Sequence, residues 1–177
     1  MLEMIRLQKK HMGLLLKWRT QANIQEVMLT EVSNSFDDQL KWFDTIIKDK
    51  TKKYWVIRFN NVLIGVVNLD KIDMLSKKCT AGFYIGEQSY SSLGAIVLPC
   101  LYNFVFKELK LKKIYGSVVS SNEKILKIHK LHGYQQVGFS EKSLLKGDKY
   151  LDIIHIELVA DEWLKMRKYA DYKSEWQ

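Results

Sequence analysis

The chain has 177 residues, 47% of them hydrophobic, 27% charged and one a proline, which is one domain's length with apolar content enough for a core, and which excludes disordered and low-complexity classes. Lys plus Arg number 28 against 20 for Asp plus Glu, a formal net charge of +8; the basic residues form short clusters such as Lys9-Lys10 and Lys112-Lys113, which favours a small anionic ligand over nucleic acid. No apolar run approaches the ~20 residues of a membrane span, the segment MLEMIRLQKK is no secretory signal, and Cys79 and Cys100 lack metal-type spacing, so a cytoplasmic protein with free thiols is expected.

In chain order, Ile5 to Leu7 reads as a strand and Met12 to Thr20 as a helix with Leu14, Leu15 and Trp18 on one stripe. Asn23 to Leu29 suggests another helical turn. Ser35 is placed as an N-cap, with Asp37 and Asp38 complementing the dipole of a helix running to about Lys48. The β-rich runs from Tyr54 and from Val62 flank Asn60-Asn61, a hairpin signal. Lys78 to Ile85 alternates as the next strand.

The segment Ala81–Ala95, AGFYIGEQSYSSLGA, then reads as strand, small-residue loop and helix start, followed by an amphipathic run to Leu109. Backbone N–H groups and the positive end of a helix dipole would converge there, which suits a pyrophosphate. Ser89, Ser91, Ser92 and Gly94 keep side chains short where an anion must approach. Pro99 is tolerated only in or beside a first helical turn, so the helix is expected to begin near Ala95. An ordinary strand–helix connection would look the same. Lys113 to Val119 is a strand, Asn122 to Leu131 a helix with Ile125, Ile128 and Leu131 on one side, and Tyr134 to Phe139 and Tyr150 to Val159 are two strands joined by a turn at Gly147-Asp148. Residues 163–177 are expected as a terminal helix or tail. The order gives an α/β (α+β) fold, a mixed central sheet of about seven strands flanked by helices.

That order, with the anion loop after the fourth strand, resembles the GNAT superfamily of acetyl-CoA-dependent N-acetyltransferases over nearly the whole chain. The family's loop usually reads Arg/Gln-x-x-Gly-x-Gly/Ala; here Ser89-Tyr-Ser-Ser-Leu-Gly94 keeps only the final Gly. Asn122-Glu-Lys-Ile-Leu-Lys-Ile-His-Lys-Leu-His-Gly-Tyr134 is similar to the family's Asn-x-x-Ala-x-x-Phe-Tyr-x-x-x-Gly-Phe, with His129 in place of the Tyr that protonates the departing thiolate. Lys17-Trp-Arg-Thr20, Phe36-Asp-Asp-Gln-Leu-Lys-Trp-Phe43, Lys53-Tyr-Trp-Val56, Leu63-Ile-Gly-Val66 and Gly82-Phe-Tyr84 resemble the UDP-4-amino-sugar N-acetyltransferases of the pseudaminic-acid pathway.

The resemblance implies a splay between the fourth and fifth strands for acetyl-CoA. A backbone N–H at Phe83 or Ile85 would polarise the thioester, Ser91, Ser92, Leu93, Gly94 and Ala95 would hold the pyrophosphate, and Asn122 would lie beside the pantetheine. His129 as an imidazolium acid and Asp70 as a carboxylate base are the catalytic candidates; the alternatives are a half-buried polar His and a turn-capping Asp. Arg19, Lys71, Tyr84 and Gln39 are the substrate-binding candidates. Arg19 and Lys71 would meet anionic groups. For Tyr84 one step of register reverses its face, and the face bearing Gln39 and Trp42 is more often core than pocket. His132 follows His129 by three but no third ligand accompanies them, so no metal is expected; His11 and His155 carry no signal. The function implied is acetyl transfer from acetyl-CoA to the amine of a nucleotide-linked amino sugar, with a homodimer compatible. The alternatives are a protein N-terminal or small-amine acetyltransferase and a non-catalytic acyl-CoA-binding module.

Overall fold

The computed structural model describes residues 1–177. Its centre is an eight-stranded mixed sheet in the order β6-β7-β5-β4-β3-β2-β1-β8. The strands are β1 (Leu2–Arg6), β2 (Lys53–Phe59), β3 (Val62–Asp73), β4 (Lys78–Ile85), β5 (Lys113–Val119), β6 (Gln135–Lys146), β7 (Lys149–Val159) and β8 (Glu175–Trp176). The helices are α1 (Met12–Arg19), α2 (Ala22–Val27), α3 (Phe36–Ile46), α4 (Gly94–Asn103), α5 (Glu123–Leu131) and α6 (Ala160–Lys165).

Local chemistry explains the joints. Asn60 and Asn61 take φ of 47° and 68°, the two positive angles of a type I′ turn that closes the β2–β3 hairpin. The Ser35 hydroxyl accepts the Asp38 N–H at 3.2 Å, capping α3. Gly147, at φ 57°, turns β6 into β7.

Strand alternation divides the side chains between two layers. On one face Val56 and Val66 pack with Leu15, Trp18, Phe43 and Ile46 of α1 and α3, and Tyr84 borders this cluster. On the other face Ile57, Val67, Leu69, Cys79, Ile114, Ile156 and Leu158 pack with Val97, Leu101, Tyr102 and Trp163. The α1–α3 cluster takes residues from β2 to β4 and none from β5 to β7, so half of the sheet is left without a helix from that cluster.

Three expectations are corrected. The α-helix does begin at Gly94, but a 3-10 turn, Gln88–Leu93, precedes it and a π-helical turn, Phe104–Glu108, extends it. Gln88–Glu108 is thus one helical stretch of 21 residues, long and apolar enough by composition to cross a membrane, and more than half buried in this fold. Pro99 lies inside α4 rather than at its first turn. Finally, an eighth strand exists. The C-terminal segment crosses the α4 side of the sheet, with the Asn103 amide donating to the carbonyls of Tyr169 and Tyr172 at 2.8 and 2.9 Å, and β8 pairs in parallel with β1. Trp176 stacks on Phe104 at 3.9 Å and meets Trp55 edge-on, an apolar sandwich that explains why so short a strand is held.

Candidate active site

β4 and β5 pair only over Lys78–Thr80 and Lys113–Tyr115. Beyond Thr80 and Tyr115 the two parallel strands separate, leaving Ala81–Ile85 opposite Gly116–Val119 across an unpaired gap. The direction of the backbone groups follows from two anchors. The Lys77 carbonyl accepts from Lys113, next to β5, and the Gly86 N–H donates to Ile64 on the β3 side. Alternation between them turns the N–H groups of Ala81, Phe83 and Ile85 into the gap. Their side chains lie on the α4 face, while Thr80, Gly82 and Tyr84 alternate onto the α1–α3 face.

The turn leading into α4 differs from the open loop read in the sequence. The Gly94 N–H is already bonded to the carbonyls of Ser91 and Ser92, so it is not a free donor. Ser89, Ser91, Ser92 and Ala95 are exposed, and Leu93 packs toward the core. What a pyrophosphate arm would meet here is serine hydroxyls at the positive end of a long helix. A Cβ on Gly94 would come 3.1 Å from the Phe83 ring, so this glycine permits close packing of α4 on β4. The gap, its inward N–H groups and these hydroxyls fit an extended, phosphate-bearing acyl carrier.

On the α1–α3 face, Asp70 lies within β3, opposite Thr80. It is no turn cap. It accepts the Tyr54 hydroxyl at 2.9 Å and the Asn68 amide at 2.7 Å, so its carboxylate is already engaged by two side-chain donors. Asn68 leans over Gly82, where a Cβ would meet Asn68 Oδ1 at 2.6 Å. Tyr84 takes the face of α1 and lies edge-on to Trp18 at 6.4 Å. Arg19 is 9% exposed, its guanidinium 5.7 Å from the Tyr84 ring. Its Nη2 donates to the carbonyl and hydroxyl of Thr30, both at 3.0 Å, and its buried Nη1 has no partner.

Two binding expectations are corrected. Gln39 is buried between α1 and α3 with Met12 Sδ as its neighbour at 3.9 Å; it is core. Lys71 is exposed at a β-bulge with φ 51°, beyond the end of β3 that borders the gap. A basic concavity of about 650 Å³ lined by Lys78, Lys112 and Lys113 lies at the paired end of β4 and β5, where Lys113 is engaged by Glu157 at 2.8 Å.

His129 lies on α5 with Nδ1 3.3 Å from the Tyr102 hydroxyl and its ring 4.5 Å from Tyr134. Burial, with a smaller push from His132, lowers its pKa to about 4. The expected imidazolium is therefore a neutral ring at pH 7, able to donate an N–H but not to deliver a ready proton. Asn122 caps α5, its Oδ1 3.4 Å from the Ile125 N–H.

Sequence reading missed two features. His155 on β7 sits between two hydroxyls, Nδ1 2.9 Å from Ser117 Oγ on β5 and Nε2 2.8 Å from Ser140 Oγ on β6. Lys146, at the tip of the β6–β7 hairpin, donates to the carbonyls of Gln25, Glu26 and Met28 at the end of α2. The hairpin tip thereby reaches the end of α2, and the half-exposed Tyr115, Ser117 and His155 on the helix-free face of β5 and β7 form the floor of a trough beside the gap.

A sheet split between two parallel strands, with a helix N-terminus at one mouth and a polar trough on the opposite face, defines an acyl-carrier-dependent transferase. Residues 6–155 match the acetyltransferase (GNAT) domain family. The chain belongs to that family and is an acetyl-CoA-dependent N-acetyltransferase. It is 27% identical over 134 residues to the acetyltransferase PseH of Campylobacter jejuni subsp. jejuni serotype O:23/36, spanning 76% of this chain and 80% of that protein. A second Campylobacter jejuni PseH, from serotype O:2, is 26% identical over the same shares. In structure it resembles the spermidine N-acetyltransferase of Vibrio cholerae in complex with CoA and spermine, with a TM-score of 0.85, 20% identity, and 92% and 98% of the two chains covered.

Proposed function

We propose that this enzyme moves an acetyl group from acetyl-CoA to the amine of a nucleotide-linked amino sugar. The observation that carries the reading is Arg19: a guanidinium 9% exposed, beside Tyr84, with one nitrogen lacking any partner. A buried cation with one N–H left unpaired favours an anionic acceptor such as a sugar diphosphate, because a nearby anion offsets its desolvation most strongly. A polyamine, a polycation, would meet repulsion there, and the net charge of +8 leans the same way. The resemblance to PseH supports the reading independently.

In this proposal acetyl-CoA supplies an activated thioester. The N–H of Phe83 or Ile85 polarises its carbonyl, and Ser91, Ser92, Leu93, Gly94 and Ala95 form the anion-binding turn, with Asn122 beside the pantetheine. Arg19 and Tyr84 orient the acceptor. His129 donates an N–H toward the leaving sulfur, and Asp70 with Tyr54 and Asn68 forms a polar wall.

Release of free CoA thiol is the test, measured with UDP-4-amino sugars, spermidine and N-terminal peptides. Selective turnover of the nucleotide sugar is expected. Selective turnover of spermidine or of a peptide would overturn the acceptor class, and binding of acetyl-CoA without turnover of any acceptor would favour a binding module.

A further inference from the structure

We propose that Ser117, His155 and Ser140 form a proton relay that deprotonates the acceptor amine. The inference rests on the acetyltransferase class and not on which amine is acetylated. Ser117 lies two residues past the last β4–β5 pair, Thr80 with Tyr115, so it borders the gap at the height of Gly82. Alternation along β5 sends Ile114 and Val118 to the α4 core and Ser117 to the trough. Ser117 and His155 are direct cross-strand partners. Both imidazole nitrogens are engaged by hydroxyls, and Ser140 stands on the outer strand of the sheet.

An amine attacks a thioester only after it has lost its proton, which needs an acceptor in the trough. Asp70, on the other bank of the gap, is already engaged by Tyr54 and Asn68. The serine–histidine chain has the opposite character, since a hydroxyl changes from donor to acceptor as the ring takes a proton. As an N–H bond of the acceptor ammonium breaks, its proton passes to Ser117 Oγ and the Ser117 hydroxyl proton passes to His155 Nδ1. The resulting imidazolium holds its Nε2–H against Ser140 Oγ, and the proton leaves to water by that edge. The freed nitrogen lone pair forms the C–N bond, the C–S bond breaks with its electron pair going to sulfur, and the second proton on that nitrogen passes to the departing thiolate, leaving a neutral amide and free CoA thiol. The charged and titratable groups on the same face are Tyr115 and Lys113 on β5, Glu157 on β7 and Lys146 at the hairpin tip, with Tyr84, Asp70, Tyr54 and Arg19 across the gap; Lys113 is paired with Glu157, Lys146 with carbonyls at the end of α2, and Asp70 with Tyr54. Ser117 is the group placed to touch the acceptor; His155 acts through it as a positioning residue.

The experiment compares kcat and KM against pH for the enzyme and for His155→Gln, Ser117→Ala and Ser140→Ala, using whichever acceptor of the panel turns over. His155→Gln keeps hydrogen bonding but cannot take a proton. It is expected to lower kcat about 100-fold or more near pH 7, to leave the KM for acetyl-CoA unchanged, and to recover rate at high pH as the amine deprotonates itself. A loss uniform across pH, or wild-type kinetics, would overturn the relay. Nitrogen-15 NMR of the His155 ring needs no acceptor: Ser117→Ala is expected to shift Nδ1 and Ser140→Ala to shift Nε2, and unmoved ring signals in both variants would also overturn it. Failure to turn over nucleotide sugars alone would overturn the acceptor assignment and leave the relay standing.

Discussion

The Lys146 ammonium donates to the Met28 carbonyl at 2.7 Å across 118 residues of sequence. On the same segment, Arg19 donates to Thr30 from the opposite side. The stretch between α2 and α3 is thereby pinned by two cations, one from the hairpin arm and one from α1. Removing the outer pin should loosen the trough without disturbing either core. Lys146→Ala is expected to raise the acceptor KM several-fold with kcat little changed and to cost about 1 kcal/mol or less in urea unfolding; an unchanged KM would show that the hairpin arm does not shape the acceptor site.

Arg19 gives a charge test. Arg19→Ala should raise the KM for an anionic acceptor by about 10–100-fold, and Arg19→Lys should not restore it, because an ammonium lacks the planar fork that serves both Thr30 and an anion. Steady-state kinetics with the acceptor varied at saturating acetyl-CoA decide this. A KM unmoved in both variants would remove the argument for an anionic acceptor.

Asp70 and Ser117 make opposite predictions about the base. Asp70→Asn should lower kcat only modestly and keep the shape of the pH profile, since Tyr54 and Asn68 already occupy its oxygens. Were Asp70 the base, the acidic limb of the profile would vanish in Asp70→Asn and persist in Ser117→Ala.

Two buried histidines set a pH dependence of stability. His132, 4% exposed among Tyr102, Trp163 and Tyr169, is lowered to about 4 by burial and by Lys168, as His129 is by burial and His132. The unfolded chain takes up both protons near pH 6.5, whereas the folded chain refuses them until about pH 4. Stability therefore rises with pH across that window and is lost on acidification, on the order of 3 kcal/mol for each ring. Urea midpoints between pH 6.5 and 5 should fall for the native chain and fall less for His132→Phe; equal slopes would contradict this.

Gly86 and Gly82 should separate folding from activity. A Cβ on Gly86 would lie inside the Trp18 indole, so Gly86→Ala should cost about 3 kcal/mol or more. A Cβ on Gly82 would meet only the Asn68 amide, which can rotate. Gly82→Ala should keep most of its stability and lose activity as Asn68 leaves Asp70, read by thermal melting beside the thiol assay.

Where the chain turns and caps itself, local sequence carried the information: Asn60-Asn61, Ser35 and Gly147 each act within a few residues, and the strand at 113–119 follows from a pattern just as local, whereas the helix expected from about Ala95 behind an open loop is preceded by the 3-10 turn Gln88–Leu93. The trough was illegible for a different reason. In Ile153-Ile-His-Ile-Glu157 the histidine reads as strand filler; only the register that sets it beside Ser117 and Ser140 gives it chemistry, and register is a property of strands far apart in sequence. Lys146 was one lysine among many until the hairpin's reach placed it on α2. Gln39 shows the converse, a polar residue on an amphipathic helix absorbed into the core because α1 crosses above it. Pro99 was misplaced because the sequence did not disclose the 3-10 turn that lengthens the helix ahead of it.

The strap formed by the C-terminal segment has a mechanical consequence. β1 and β8 are parallel neighbours joined at Glu3 with Glu175 and Met4 with Trp176, and the Gln177 N–H donates to the Met4 carbonyl at 3.0 Å. A force drawing residues 1 and 177 apart runs along these strands, so it loads their hydrogen bonds in shear, all together, rather than peeling them one by one. The Trp176 ring, stacked on Phe104 and edge-on to Trp55, adds a side-chain lock to that joint, and the Trp55 Nε1–H donating to the Gln177 carbonyl at 3.2 Å passes part of the load on to β2.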